Sequence, residues 1–406
     1  MSGPPLGRSA AVQRACRRLF SSLLRHLEGG SLLIVEDEQP RLLGEGAPAA
    51  TVHILSRRLW PLLLRGSVGL ADGYAEGLWD SPDVTKVIAL AARNAARVDA
   101  ARRRLAPIAS PLQRARSLLQ ANTRRRNRRD IEAHYDLGDD LFELMLDPTM
   151  MYSCAVFERE DMTLEQASLA KLERVCDKLE LEEHHRVLEI GGGWGGFALH
   201  AARTRGCHVT TTTISRHQYE RMRREVARQG LGQHITVLGK DYRDLAGSYD
   251  RLVSIEMIEA VGWQHFGQFF AKCSQLLAPD GAMLLQAITI ADGAYEVEKA
   301  SKSFIKTYIF PNGCLPSLSV IKHCVAERTD MGIVDFDEIG AHYVETLKRW
   351  RERFTANAER LAELGYDSRF RRLWTLYLAY CEAGFAERRI SDWQLLLAKP
   401  GRMPAA

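Results

Sequence analysis

The sequence predicts an α/β protein: a doubly wound, mainly parallel sheet domain preceded by a smaller, mainly helical basic N-terminal domain. Two patterns carry that expectation. After residue 180, short apolar runs alternate with helical stretches, the arrangement that builds a parallel sheet covered on both faces. Before residue 100, apolar positions such as Leu19, Leu23, Leu24 and Leu27 recur at helical spacing. The length of 406 residues agrees, since it allows two or three domains.

Taken in order, residues 1–10 are rich in Gly, Pro and Ser and are expected to be disordered. Residues 11–100 read as mostly helical, with strand-like stretches at 31–35 and 51–55 on either side of a Gly/Pro-rich turn. Residues 66–80 read as a glycine-punctuated loop leading to Asp83, where a helix starts. The Ala-rich and Arg-rich stretch 87–129 reads as a helix followed by a mobile linker. A domain boundary near residue 120 gives an N-terminal domain of residues 11–120 and a second domain of residues 121–400. In the second domain, strands are expected at 186–190, 207–214, 235–238, 251–255 and 282–290, with late strands at 333–336 and 393–398. Helices are expected at 195–205, 215–229, 263–277, 342–363 and 367–385.

Several classes fall away. No apolar run approaches the ~18 residues of a spanning helix. The N-terminus lacks a signal-peptide h-region, which points to a cytoplasmic protein. The eight cysteines show neither CxxC nor Cys/His ligand spacing, so neither a disulfide scaffold nor a metal site is expected. Net charge is +4, but residues 1–130 carry 22 Lys/Arg against 11 Asp/Glu, a net of +11, and the rest 33 against 40, a net of −7. Arg102-Arg-Arg through Arg129 forms the densest block. Such a block attracts polyanions, either nucleic acid or an anionic bilayer surface. No base-stacking module accompanies it, so nucleic acid is not the expected partner.

The segment Val187-Leu-Glu-Ile-Gly-Gly-Gly-Trp-Gly-Gly-Phe197 sets glycines at the end of the first strand of the second domain. Glycines there let the backbone turn tightly and approach a ligand closely. A Walker A loop would end in Gly-Lys-Ser/Thr, which is absent. A dinucleotide site would place an acid at the end of the next strand, and here that strand ends Thr210-Thr-Thr-Thr-Ile-Ser215. Glu189-x-Gly191-x-Gly193-x-Gly195 fits best the loop of class I, Rossmann-like S-adenosylmethionine (SAM) methyltransferases, with Lys240-Asp241-Tyr242 at the adenine corner.

Longer strings point further. They are His134–Phe142, Leu146-Asp-Pro-Thr-Met-Met-Tyr-Ser-Cys-Ala155, Val187–Phe197, Thr213-Ile-Ser215 with Gln218, Tyr308-Ile-Phe-Pro-Asn-Gly-Cys-Leu-Pro-Ser317 and Tyr380–Phe385. Together they resemble the cyclopropane-fatty-acyl-phospholipid synthase family, related to the mycolic acid cyclopropane synthases, over roughly residues 66–400. The resemblance implies that SAM lies against Tyr152, Ser153, Glu189, Gly191, Gly193, Gly195, Thr213, Ser215, Gln218, Asp241 and Tyr242, with His134 and Tyr135 covering it. It implies methyl transfer to a cis double bond of an unsaturated phospholipid acyl chain, giving a carbocation that loses a proton and closes to a cyclopropane. A bound bicarbonate would take that proton, held by Cys154, Glu259, Tyr343, Gln286 and the backbone of Ile288. Gln286 and Ala260 stand where the better-known bacterial pattern has histidines. A Gln amide can donate a hydrogen bond but cannot titrate near neutral pH. Cys381 matches a cysteine once favoured as a nucleophile, although a covalent step has no obvious use in this reaction.

An alkene needs orientation and a dry site more than a base before methyl transfer. The cation that follows is stabilised by aromatic faces, for which Tyr343, Tyr308, Phe304 and Trp263 are candidates. The expected protein is a homodimer, peripheral at the inner membrane surface, docked on anionic lipid through residues 1–130. The product stays open between a cyclopropane and a 10-methylene or 10-methyl branch. A small-molecule N-methyltransferase and a non-catalytic lipid- or nucleic-acid-binding protein remain as alternatives.

Overall fold

The computed structural model describes residues 10–95, 138–311 and 313–402. The basic run from Arg102 to Arg129, the expected boundary near residue 120, and His134 and Tyr135 lie outside these residues. The contacts divide the chain into two compact units, but not at a single cut. One unit takes residues 1–113, 301–309 and 350–389, and the other takes 114–300, 310–349 and 390–406. The expectation of two successive domains is corrected accordingly.

In the first unit, strands β1 (Ser31–Glu36), β2 (Gln39–Leu43), β3 (Pro48–Ile54) and β4 (Trp79–Asp80) form one sheet in the order β2-β1-β3-β4. "Mainly helical" therefore understates its strand content: both strand-like stretches pair, in parallel, as β1 and β3. The segment read as a loop over 66–80 contains the helix Ser67–Ala75. Its glycines mark close packing, not a turn: a Cβ on Gly69 would stand 1.7 Å from the Leu62 carbonyl oxygen. The helix predicted after Asp83 is Val84–Arg93, and the Asp83 side chain caps it by accepting from the Lys86 N–H at 3.2 Å. The late helix Ser368–Ala386 belongs here because it packs on Val84–Arg93 and Ser67–Ala75. Arg372 ties it down, donating to the carbonyls of Tyr74 (2.6 Å) and Trp79 (3.0 Å) with its guanidinium 4.0 Å above the Tyr74 ring. No helix of the described residues is long and apolar enough to cross a membrane.

The second unit is a seven-stranded sheet in the order β10-β11-β9-β8-β5-β6-β7. Its strands are β5 (Arg186–Ile190), β6 (His208–Thr212), β7 (Ile235–Leu238), β8 (Tyr249–Ile255), β9 (Leu277–Ile290), β10 (Gly332–Glu338) and β11 (Ile390–Ala398). The five from β9 to β7 are parallel, and β11 runs antiparallel to both β9 and β10. Alternation along β5 shows why both faces are covered. Val187 belongs to one buried cluster, with Phe197 and Leu172, while Leu188 and Ile190 belong to the other, with Phe269 and Leu285. The order turns back on itself beside β5, so the carboxyl ends of β5, β8 and β9 open towards the same edge, where ligands of such sheets collect.

Candidate active site

The glycine loop follows β5. The amides of Gly191 and Gly192 each donate to the Thr212 carbonyl at 3.0 Å, which ties the loop to the end of β6. Gly193 has φ +54°, and a Cβ built on it would meet no atom within 4 Å. Gly192 is tight for the opposite reason, since its Cβ would fall 2.0 Å from Thr211 Oγ1. That hydroxyl donates to Glu189 Oε2 at 2.6 Å, and burial pushes the Glu189 carboxyl up to about 7. Gly195 closes the loop at the start of the helix Gly196–Arg205.

At the end of β6, Thr213 Oγ1 donates to Gln218 Oε1 at 2.8 Å and accepts from the Ser215 N–H at 3.1 Å. The Ser215 side chain caps the helix Arg216–Arg228. After β7, Asp241 holds the Arg243 guanidinium through both oxygens, at 2.8 and 2.6 Å, beside the buried Tyr242. Tyr152 stacks edge-on against Phe142, and Ser153 Oγ accepts from Lys171 Nζ at 2.9 Å. These residues fit SAM: an open glycine elbow, a small-residue turn after β6, and a carboxylate with an aromatic ring after β7. The hydroxyl-rich end of β6 stands where a dinucleotide site would carry an acid.

The second cluster lies at the carboxyl ends of β8 and β9. Glu256 follows β8 directly with φ +48°, a left-handed conformation unusual for a residue with a side chain. Its Oε1 accepts from the Cys154 amide at 2.8 Å and from Gln286 Nε2 at 2.7 Å, and its Oε2 accepts from Tyr343 Oη at 2.5 Å. Gln286 Nε2 also donates to Asp392 Oδ2 at 2.9 Å, and Gln286 Oε1 accepts from Gln394 at 3.1 Å. Gln286 and Asp392 are fully buried on neighbouring strands, β9 and β11. Glu259 lies three residues beyond Glu256. Its Oε1 accepts from the Ile288 amide at 2.5 Å, and its Oε2 is buried with no hydrogen-bond partner among the described residues.

Burial and the facing Glu256 push the Glu259 carboxyl up to about 8. Burial raises Glu256 and, more strongly, Asp392, whose carboxyl lies within hydrogen-bond reach of Glu256. Lys171, itself fully buried, supplies the positive charge that lies near both.

The predicted set thus divides. Cys154, Glu259, Tyr343, Gln286 and Ile288 come together in one cluster. Cys154 contributes its backbone amide; its fully buried thiol, raised by burial, donates to the carbonyls of Ala155 and Ile339. Cys381 sits on the helix Ser368–Ala386 of the first unit, and burial pushes its thiol up to about 12, which disfavours the thiolate that a nucleophile requires. Phe304 and Tyr308 also lie in the first unit, where Tyr308 Oη donates to Asp72 at 2.5 Å. Trp263 is exposed, with Lys299 over its ring.

Bicarbonate does not fit the cluster as folded. The amide of Cys154, the amide group of Gln286 and the hydroxyl of Tyr343 already serve Glu256, and the Ile288 amide serves Glu259. An incoming anion would find these donors taken and carboxyl groups facing it.

Sequence reasoning missed Glu256, Asp392 and Lys171. Glu256 had a legible signal, an acid directly at the end of a core strand. Lys171 and Asp392 had none, because each looks like an ordinary surface charge on its own element.

A family described as mycolic acid cyclopropane synthetase matches residues 122–395. The chain is 36% identical to the tuberculostearic acid methyltransferase of Mycobacterium tuberculosis, over 98% of this chain and 93% of that protein. It is also 36% identical to the cyclopropane-fatty-acyl-phospholipid synthase of Escherichia coli, over 83% of this chain and 85% of that one. A mycolic acid cyclopropane synthase solved with S-adenosylhomocysteine and CTAB superposes with a TM-score of 0.63 at 31% identity, covering 67% of this chain and 98% of its own. The resemblance and the class I methyltransferase fold read from the sequence are confirmed. The chain belongs to the mycolic acid cyclopropane synthetase family and is a SAM-dependent methyltransferase of the cyclopropane-fatty-acyl-phospholipid synthase type.

Proposed function

We propose that the enzyme transfers the SAM methyl group to a cis double bond in an unsaturated phospholipid acyl chain and forms a cyclopropane. The observation that carries this reading is the carboxyl cluster at the strand ends, directly beside the glycine loop. A Cβ on Gly191 would meet Met257 Cγ at 2.7 Å, and Met257 lies between Glu256 and Glu259 in sequence. A bound sulfonium would supply the methyl group. The protein holds Gly193, Thr213, Gln218 and the Asp241 corner around the cofactor and keeps water from the cation. Tyr343 offers that cation an aromatic face.

A methyl- or methylene-branched product is the second reading, favoured by the relative that aligns over nearly the whole chain and is named for tuberculostearic acid. Docking from the cytoplasmic side on anionic lipid is supported by the helix Ala10–Leu24. It exposes Val12, Leu19 and Leu23 together with Arg14 and Arg18, the composition of a helix that lies in a bilayer interface. The test is incubation with methyl-labelled SAM and unsaturated phospholipid vesicles, with and without anionic lipid, followed by NMR of the extracted chains. High-field ring protons establish the cyclopropane. Olefinic methylene signals establish the second reading, and absence of label from lipid refutes both.

A further inference from the structure

We infer that the Glu256 carboxylate, and not a bound bicarbonate, takes the proton that the substrate cation loses. The inference rests on the proposed lipid alkylation and concerns how that reaction ends. The resemblance assigns five residues to an external anion, and three of them, Cys154, Gln286 and Tyr343, place their hydrogen-bond donors on the two oxygens of Glu256. A carboxylate and a bicarbonate present the same planar pair of oxygens to such donors. Here the pair is covalently part of the chain. The backbone accepts a left-handed φ of +48° at Glu256, and strain of this kind persists where the surroundings over-determine it. The Glu256 N–H donates to the Gln286 carbonyl at 2.8 Å, so residue 286 holds both the backbone and the side chain of Glu256. Gln suits that place: neutral at every working pH, it donates to Glu256 and Asp392 together.

The neighbouring carboxyls are less suited to the task. Asp392 is fully buried and cannot touch a substrate. Glu259 keeps its proton to about pH 8. Burial raises Glu256 as well, but Tyr343, the Cys154 amide and Lys171 oppose that rise and favour its ionised form, and three side-chain and backbone donors converge on its two oxygens. The step balances. As the alkene pair forms the new C–C bond, the S–CH3 bond breaks and leaves its pair on sulfur, giving S-adenosylhomocysteine and a carbocation. One C–H bond of the transferred methyl then breaks, its electron pair closes the ring, and the proton passes to a Glu256 oxygen and then to water. A methylene product requires the same acceptor.

The test follows methyl-labelled SAM into vesicles of dioleoyl phosphatidylglycerol and phosphatidylethanolamine, in buffer freed of carbon dioxide and then in the same buffer with added bicarbonate. The wild-type rate is expected to be the same in both. Glu256→Gln is expected to lower product formation by about 10²- to 10⁴-fold, the usual contribution of a positioned base, with bicarbonate giving no rescue. Its SAM affinity, measured by calorimetry, stays at the wild-type value and shows that the variant is folded. Glu256→Gly removes the carboxylate at a φ that glycine tolerates and is expected to regain activity, saturably, as bicarbonate is added. A wild-type rate that falls without carbon dioxide and returns with bicarbonate overturns the inference and leaves the lipid reaction standing, as does full activity of Glu256→Gln. Absence of label from lipid in every arm overturns the lipid reaction and the inference together.

Discussion

Replacing Glu259 with glutamine isolates a buried proton. In the folded protein the Glu259 carboxyl holds its proton to about 8, against an ordinary value of 4.5. The folded state therefore binds more protons than the unfolded chain between those values, and stability must fall as pH rises through that window. The contribution is complete below the unfolded value and gone once pH passes the folded one. At 1.36 kcal/mol per pKa unit, moving from about pH 5.5 to about pH 8.5 removes on the order of 3 kcal/mol from the wild type. The variant loses none of this: its side chain is neutral throughout, and its carbonyl can still accept the Ile288 N–H that Glu259 Oε1 accepts at 2.5 Å.

Urea unfolding of both proteins at the two pH values gives the difference between them, in which titrating groups remote from Glu259 cancel and only its charged neighbours Glu256 and Asp392 respond to the substitution. The expected result is a stability gap that widens in favour of the variant by that amount as pH rises, with a Glu259 carboxyl NMR signal that titrates near pH 8. A gap that stays constant, or a carboxyl that titrates in the ordinary range, would refute the claim that burial and Glu256 hold this proton.

Three further outcomes are expected. Gly193→Val should abolish SAM binding in calorimetry while the far-ultraviolet dichroism is kept, because it fills the open elbow at φ +54°; unchanged affinity would remove the cofactor-loop assignment. Cys381→Ala should keep most of the methyl transfer, since a thiol pushed up to about 12 holds its proton at working pH, and loss of activity in a folded variant would reinstate Cys381 as a reacting group. Asp83→Ala removes the cap of the helix Val84–Arg93 and should cost about 1 kcal/mol in denaturant unfolding, with no cost expected only if the Lys86 N–H finds another acceptor.

Local chemistry wrote much of this protein into its sequence. The apolar runs at 186–190 and 235–238 are β5 and β7 as found. β5 is buried on both faces and leaves a short, nearly unbroken apolar signature, while β7, at the sheet edge, is only partly buried and shows as a short β-branched run. Asp83 and Ser215 marked helix starts because a capping side chain acts within three residues of itself. The glycine loop was legible because several positive-φ positions and close backbone approaches in one short turn favour glycine at each of them. The helix Ser67–Ala75 was not legible. Its glycines look like a loop until the Leu62 carbonyl that presses on Gly69 is in place.

Tertiary structure alone decided the rest. Residues 301–309 and 350–389 join the N-terminal unit through side-chain packing that no local pattern announces. The reaction-centre cluster draws Cys154, Lys171, Glu256, Gln286, Tyr343 and Asp392 from segments up to 238 positions apart in the chain. Family resemblance brought Gln286 and Tyr343 to notice, but their hydrogen-bond partner, Glu256, could be known only once the sheet edge was closed. Hydrogen bonds depend on distances of about 3 Å, and sequence separation carries no information about them.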